Sequence, residues 1–414
     1  MRHVERHIVK KNSLVWKDID QLCFLSKNIY NFANYKVRQS FIFEKVYLGY
    51  NKIYHLVKNS PDYQALPTKV SQQVLRGLDK NWKSFFEANK AYKENPNKFT
   101  GRPKLPKYKH KTKGRNLLTY TIQAISKPWL SKGIVKLSGT NLFVSTKIKA
   151  EKIVSARIIP KIGQYIIEII YEQNEDYTVN NNTTVAAIDI GVDNLAALTS
   201  NLPGFKPILV NGRPLKSLNQ LYNKTRALLQ SNLKGKKQTS KKISRLTAKR
   251  NNQVDAYLHA CSRWIINHLD QHGIGKLIIG KNPLWKQNIN NGRVQNQTFV
   301  SIPHARFIEM LIYKGTMKGI EVITREESYT SRASFFNLDF IPNYGDDDAR
   351  TVKFSGYRET RGTYKIKNQK TRINSDINAS YNIMRKVIPT VFDQGIEGVV
   401  VRPTRVTPGK VKNT

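Results

Sequence analysis

Cysteine is nearly absent. Only Cys23 and Cys261 occur in 414 residues, both inside helical apolar patterns, so a disulfide framework and a Cys-rich zinc module are excluded and two buried thiols are expected. Acidic residues are scarce too: 29 Asp and Glu stand against 70 Lys and Arg, a formal net charge of +41. Such an excess repels itself in a compact fold unless a polyanion neutralises it, and the expected partner is nucleic acid. No apolar run reaches the roughly 18 residues of a membrane span, and MRHVERHIVKK lacks the apolar centre of a signal peptide. A soluble, intracellular protein without a membrane partner is expected. The eight histidines show no metal-ligand spacing. The fragment GKKQT lacks the upstream glycine and preceding strand of a phosphate-binding loop. No internal repeat stands out.

What is present changes character along the chain. Residues 1–15 read as a short strand with basic flanks. From 16 to 95 apolar residues recur at three and four, as in Leu22, Leu25, Ile29, Phe32 and then Val70, Val74, Leu78, Trp82, the pattern of packed helices. Trp82, Phe85 and Phe86 follow that spacing and are expected in the core. NPNKFTGRPKLPKYKHKTKGRN, 95–116, mixes Pro, Gly and eight Lys or Arg, so an irregular surface segment is expected, with its charges on phosphates. Short β patterns separated by Gly and Pro turns fill 117–178, which suits a small barrel or sandwich. After the Asn-rich 180–182, strands alternate with helices as in an α/β sheet. A helical insertion at 215–271 carries KGKKQTSKKISRLTAKRNNQ, where eight of twenty residues are basic.

Two stretches carry the chemistry. In VAAIDIGVDNLAALTS, 185–200, Asp189 ends a hydrophobic β-branched run just before Gly191. In INSDINASYNIMRK, 373–386, Asp376 sits in a polar stretch that caps an apolar helix. Asp-x-Gly alone is commonly a turn and Asn-Ser-Asp alone a cap. Together, two carboxylates on rigid elements are what magnesium needs, since it takes hard oxygen ligands. Metal-assisted phosphodiester hydrolysis is the simplest function.

These motifs, with YTSRAS at 329–334, LPTKVSQQVLRGLDKNWKSFF at 66–86, NKFTGRPKLPKYK and RLTAKRNNQVDAYLHACSRWIINHL at 245–269, resemble TnpB proteins of insertion-sequence transposons, compact relatives of type V CRISPR effector nucleases. The resemblance runs through nearly the whole chain. It implies a multidomain α+β protein that acts as an RNA-guided DNA endonuclease with a RuvC-like, RNase H-type core. On that basis 1–15 and 96–180 form a β-barrel wedge domain and 16–95 a helical recognition domain. Residues 181–327 and 373–395 form the nuclease domain, 328–372 a module that loads the target strand, and 396–414 a flexible tail. The implied partners are a guide RNA transcribed from the element end and a target DNA carrying a short adjacent motif. The implied setting is the prokaryotic cytoplasm and nucleoid, with the chain working as a monomer or transient dimer.

The departures from the family are as specific as the matches. The family's third catalytic carboxylate usually stands on the strand ending KLIIGKNPLWKQ, where this chain has Gly280. The Cys pairs that usually follow the Tyr-Thr-Ser motif are missing, with Ser334 and polar neighbours in their place. IEVITREESYTS, 320–331, instead ends a strand in two glutamates at the same sheet edge as Asp189. Only one of Glu326 and Glu327 can face a metal, because strand side chains alternate. Glu327, the last acid before the turn, is preferred. Asp189, Glu327 and Asp376 are thus the expected catalytic and metal-binding set, holding two Mg2+ ions roughly 4 Å apart.

Phosphate contacts are expected from Lys104, Lys107, Lys109, Lys111 and Arg115 on the irregular segment. Lys236, Lys237, Lys241, Lys242, Arg245, Lys249 and Arg250 on the insertion, and Arg332 after the motif, are expected to add to them. Lys353, Arg358 and Arg361 are expected to help load the strand without zinc. The competing readings are a nuclease-inactive RNA-guided repressor, a small CRISPR-associated type V effector, and a transposase that joins DNA ends.

Overall fold

The computed structural model describes residues 2–173, 182–235, 237–282, 301–346 and 351–409. The chain divides into two compact units, Met1–Asn174 and Glu175–Thr414.

The first unit opens with β1 (Arg2–Lys10), followed by helices α1 (Trp16–Gln39), α2 (Tyr50–Val57), α3 (Pro61–Gln64) and α4 (Thr68–Glu94). Then come β2 (Leu118–Thr121), the short α5 (Lys127–Leu130), β3 (Ile134–Lys136), β4 (Phe143–Ser145), β5 (Ile153–Lys161) and β6 (Gln164–Glu172). On α4 the apolar spacing read from the sequence is the buried stripe, Val70, Val74, Leu78 and Trp82. On α1 the buried stripe is Ile19, Cys23, Ile29, Tyr30, Ala33 and Val37, so of the residues expected there Ile29 is buried while Leu22, Leu25 and Phe32 are half-buried against the same core. Trp82 lies against Phe41, Phe85 and Phe86 at ring-centroid distances of 5.3, 5.9 and 5.9 Å, so these rings pack on one another as expected.

The expected barrel is not closed. β1, β6, β5 and β2 form one antiparallel sheet with β1 and β2 at its two edges, while β3 and β4 pair separately. The physical reason lies in the core. Leu118, Tyr120, Ile158, Ile167 and Ile169 share one buried cluster with the stripes of α1 and α4, so helices cover the apolar face that closure would otherwise have had to bury.

The second unit is built on a six-stranded sheet. Its members are β7 (Val185–Asp189), β8 (Asn194–Ser200), β9 (Ile208–Asn211), β10 (Lys276–Gly280), β11 (Glu321–Arg325) and β15 (Thr404–Val406), in the order β11-β10-β7-β8-β9-β15. β8 runs antiparallel to β7 and β9, whereas β10 and β11 run parallel to β7. Helices α6 (Arg213–Ser231), α7 (Lys241–Gln271), α8 (His304–Thr316) and α9 (Ser375–Val387) complete it, with a three-stranded antiparallel sheet of β12 (Gly356–Thr360), β13 (Thr363–Ile366) and β14 (Arg372–Asn374).

Alternation assigns the faces of the large sheet. Ala186, Ile188, Leu277 and Ile279 join the core under α6 to α8, while Val185, Ala187 and Ile278 join the core under α9. Both faces are therefore buried, as parallel strands with crossover helices require. One expectation is corrected here: 396–414 is not simply a flexible tail, because Thr404–Val406 pairs with Ile208–Val210 along the open edge of β9. Among the described residues no helix is long and apolar enough to cross a membrane.

Candidate active site

The same alternation that buries Val185 and Ala187 under α9 puts Asp189, the last residue of β7, on the α9 side at the carboxyl end of the sheet. Asp376 reaches the same place from the first turn of α9, whose N-cap Asn374 accepts hydrogen bonds from the amides of Asp376 and Ile377 at 3.1 and 3.2 Å. Asp189, Glu327 and Asp376 line one cleft of about 620 Å³.

Gly280 decides where the third carboxylate can sit. It ends β10 opposite Arg325 of β11, and a Cβ placed on it would come 2.3 Å from Glu327 Oε2 and 2.5 Å from Ile383 Cδ1. The absent side chain is the space that the Glu327 carboxylate fills. Asn282 holds the same residue from the other side: Glu327 N donates to Asn282 Oδ1 at 3.1 Å, and Asn282 Nδ2 donates to Glu327 Oε1 at 3.4 Å. Thr330 Oγ1 donates to the Glu327 carbonyl at 2.8 Å, and Tyr329 between them adopts a left-handed φ of 66°, a strained turn of the kind that collects at functional sites.

Glu326 points elsewhere. Its carboxylate is ion-paired with Lys386 of α9, whose side chain is only 5% exposed. Burial pushes Glu326 up, but hydrogen bonds from Lys386 and Ser328 outweigh it and hold the carboxyl below its ordinary range. Lys386 also donates to the carbonyls of Ser328 and Pro342 at 3.0 and 3.1 Å.

The electrostatics of the cleft are those of crowded like charges. Burial, then the charges of Glu327 and Asp376, raise Asp189 well above the usual carboxylate range. Burial, with Glu326 adding to it and Lys386 opposing, pushes Glu327 up to about 7. Glu327 Oε2 is buried without a hydrogen-bond partner among the described residues.

A pH dependence follows. A carboxyl whose folded pKa lies above its unfolded one keeps its proton longer in the native state, so stability is lost as the pH rises from the ordinary 4.5 through about 7. In metal-free protein Glu327→Gln removes this contribution, worth roughly 3 kcal/mol. Its melting temperature should therefore rise relative to wild type between about pH 5 and about pH 8. Melting curves that stay parallel across that range would contradict the assignment.

Sequence reasoning missed Asn194, Asp193 and Asn282 of the cleft, and named Arg358 and Arg361 only for strand loading. Asn194 Nδ2 donates to Asp376 Oδ2 at 2.8 Å. Asp193 accepts from Lys216 Nζ at 2.9 Å and faces Arg361 at 3.7 Å. Arg358 approaches Asp376 Oδ1 at 3.5 Å and donates to Ser375 Oγ at 3.2 Å. The available signals were the Asp-Asn pair four residues past Asp189 and an Asn two residues past a strand end. Neither pattern alone marks a site.

The segment after Tyr-Thr-Ser is held together without cysteine. Asp339 takes the linking role: its Oδ2 accepts from the amides of Ser334 and Ser355 at 2.8 and 3.0 Å, and its Oδ1 from Ser355 Oγ at 2.7 Å. Asn378 and Asn382 of α9 each donate to the Ala333 carbonyl at 2.8 Å.

The expected phosphate contacts divide. Lys104, Lys107, Lys109, Lys111, Lys237, Lys241, Lys242, Arg245, Lys249 and Arg332 are exposed, and Lys236 lies outside the described residues. Two arginines are engaged inside the protein instead. Arg115 makes a two-point ion pair with Asp20 at 2.9 and 2.6 Å, and Arg250 donates to Asn219 Oδ1 and, at 2.7 Å, to the Ser301 carbonyl.

Residues 168–285 match the OrfB_IS605 family, described as "Probable transposase", and residues 304–383 match the Cas12f1-like TNB domain. Among solved structures, similarity extends to the Cas12f1–sgRNA–target DNA complex at 16% identity and a TM-score of 0.36, covering 92% of this chain and 98% of that one. A CRISPR-Cas12f ternary complex matches at 16% identity and a TM-score of 0.38, over 89% of this chain and 82% of the other. C2c1 of Alicyclobacillus acidoterrestris, in complex with single-guide RNA, matches at 8% and 0.38, over 91% and 68%. No curated protein matches the sequence.

Proposed function

Since the chain is a TnpB-family protein, joining an OrfB_IS605 transposase segment to a Cas12f1-like TNB segment, we propose that it is an RNA-guided DNA endonuclease. In this reading Asp189, Glu327 and Asp376 are the catalytic carboxylates. The observation that carries it is the Glu327 carboxylate seated over Gly280, in one cleft with two aspartates that arrive from a strand end and a helix start. The sheet supports it. A first strand flanked by an antiparallel meander on one side and two parallel strands on the other, β9-β8-β7-β10-β11, is the arrangement expected of an RNase H-like core, as in RuvC.

The donor set fits magnesium. Hard carboxylate oxygens face one cleft, one of them is buried without a partner among the described residues, and burial, then the charges of the other two, raise Asp189 well above the usual carboxylate range. As they stand, no three His, Cys, Asp or Glu among the described residues converge tightly enough to hold an ion, so Asp189, Glu327 and Asp376 would have to draw together to do so. When bound, magnesium supplies an activated water and charge stabilisation at the leaving 3′ oxygen.

The chain's own residues do the rest. Asn282 fixes Glu327, Asn194 fixes Asp376, and Arg358 and Arg361 bring positive charge to the cleft for an incoming phosphate. Lys104, Lys107, Lys109, Lys111, Lys237, Lys241, Lys242, Arg245, Lys249 and Arg332 serve the guide RNA and target DNA backbones. Arg115 and Arg250 serve the protein's own structure.

The test is cleavage of a plasmid bearing a guide match beside a randomised motif, by protein co-expressed with its flanking sequence. Guide-dependent cuts in magnesium that disappear in EDTA are expected. Guide-dependent binding without any cut would replace the nuclease by a repressor.

A further inference from the structure

The segment after α4, irregular by composition, is fixed from Pro106 to Asn116 by one stripe of α1. Lys27 Nζ donates to the Lys111 carbonyl at 2.7 Å. Asn31 exchanges two bonds with Lys109, its Nδ2 donating to the carbonyl and its Oδ1 accepting from the amide, each at 2.8 Å. Asn34 Nδ2 and Arg38 Nη1 both donate to the Pro106 carbonyl, at 3.0 and 3.1 Å. Positions 27, 31, 34 and 38 share one helix face, and Trp82 steadies it by donating its indole N–H to Asn34 Oδ1 at 3.0 Å. At the far end Asn116 N donates to the Cys23 carbonyl at 3.0 Å.

Because α1 takes the backbone groups, the lysine side chains are left at the surface, with Lys109 Nζ lying 5.3 Å over the Tyr30 ring of α1. Lys104, Lys107, Lys109, Lys111 and Lys113 are all exposed, and among the described residues none is ion-paired with an acid. A folded protein that holds five like charges along a fixed track raises its own energy unless an anion of matching extent lies on it. Pre-fixing the track also means that its ordering cost is met on folding rather than on binding.

We infer that this strap is a preformed seat for the phosphate backbone of the resident RNA strand, with Asn31 as a positioning residue that acts through the strap's backbone. The choice of RNA rests on the RNA-guided reading above: a guide stays bound while target DNA comes and goes, and a permanently ordered track matches the polyanion that stays.

The test is binding of a labelled single-stranded RNA, and of DNA of the same sequence, to the full chain in EDTA across a salt series. Three lysines on three phosphates account for about 2 in the log–log salt slope of a single strand. The triple variant Lys107→Ala, Lys109→Ala, Lys111→Ala should therefore lose that slope and weaken RNA binding about 50-fold at about 0.15 M salt. Asn31→Ala keeps every lysine, so its slope should stay at the wild-type value while RNA affinity falls roughly fivefold. The lysines are exposed, so the triple variant reports even if Asn31→Ala folds poorly. An unchanged slope in the triple variant, or wild-type affinity in a folded Asn31→Ala, overturns the seat. Single-stranded DNA offers the same phosphates and should lose as much; the assignment to the resident RNA is read in guide-loaded protein, where the triple variant should keep wild-type affinity for target DNA, and a comparable loss there overturns it. Because no cleavage is read, failure of the nuclease reading does not alter any of these outcomes.

Discussion

Glu327→Ala is expected to remove at least about a thousandfold of guided DNA cleavage, some 4 kcal/mol of transition-state stabilisation, while RNA and DNA affinity stay within a few-fold of wild type. The reason is local. Of the two adjacent glutamates, Glu327 is the one that lines the cleft, and the lysines proposed to bind phosphate are not among the residues lining it. Its neighbour should behave in the opposite way. Glu326→Ala strips Lys386 of its carboxylate partner and leaves an ammonium that is only 5% exposed, so roughly 1–3 kcal/mol of stability should be lost. Cleavage by the folded fraction should survive. The pair is read by plasmid cleavage and thermal melting side by side. If Glu326→Ala were the inactive variant and Glu327→Ala the unstable one, the two acids would have exchanged roles.

Gly280→Ala is the smallest change with a large expected effect. The backbone there does not need glycine for its conformation, since Gly280 is not among the residues with positive φ, so alanine acts through its methyl alone. That carbon would stand 2.3 Å from Glu327 Oε2 and 2.5 Å from Ile383 Cδ1, and one of them must move. Glu327 lies on the turn after the strand and yields more easily than an Ile383 that is 1% exposed in the core under α9. A carboxylate displaced by about 1 Å commonly costs about a hundredfold in rate, and that is the loss expected in cleavage, with nucleic-acid affinity unchanged. A fully active Gly280→Ala would mean that Glu327 does not use this space during the reaction.

The sequence made some of this legible and not the rest, for definable reasons. Helices α1 and α4 were readable because a one-sided apolar stripe at three and four has few other uses. Asp189 and Asp376 stood out because each ends or begins a strongly patterned element, and the absence of an acid at Gly280 drew attention to the glutamates on the next strand. Closure of a sheet is a different kind of property. It depends on whether edge strands meet, and α1 and α4 settled that by covering the apolar face. The pairing of β15 with β9 joins segments nearly two hundred residues apart, and three residues leave no periodic trace. Arg115 and Arg250 carry the same charge as the lysines around them. Only the fold reveals that Asp20 and Asn219 already hold them. Asp339 was silent because one carboxylate bridging two serines has no spacing rule comparable to that of zinc-binding cysteines.

The most direct measurement is anomalous diffraction from the protein bound to its RNA and DNA, with Mn2+ in place of magnesium. The account predicts manganese peaks in the cleft contacted by carboxylate oxygens of Asp189, Glu327 and Asp376. Manganese held by Asp189 and Asp376 alone, with Glu327 turned away, would contradict it.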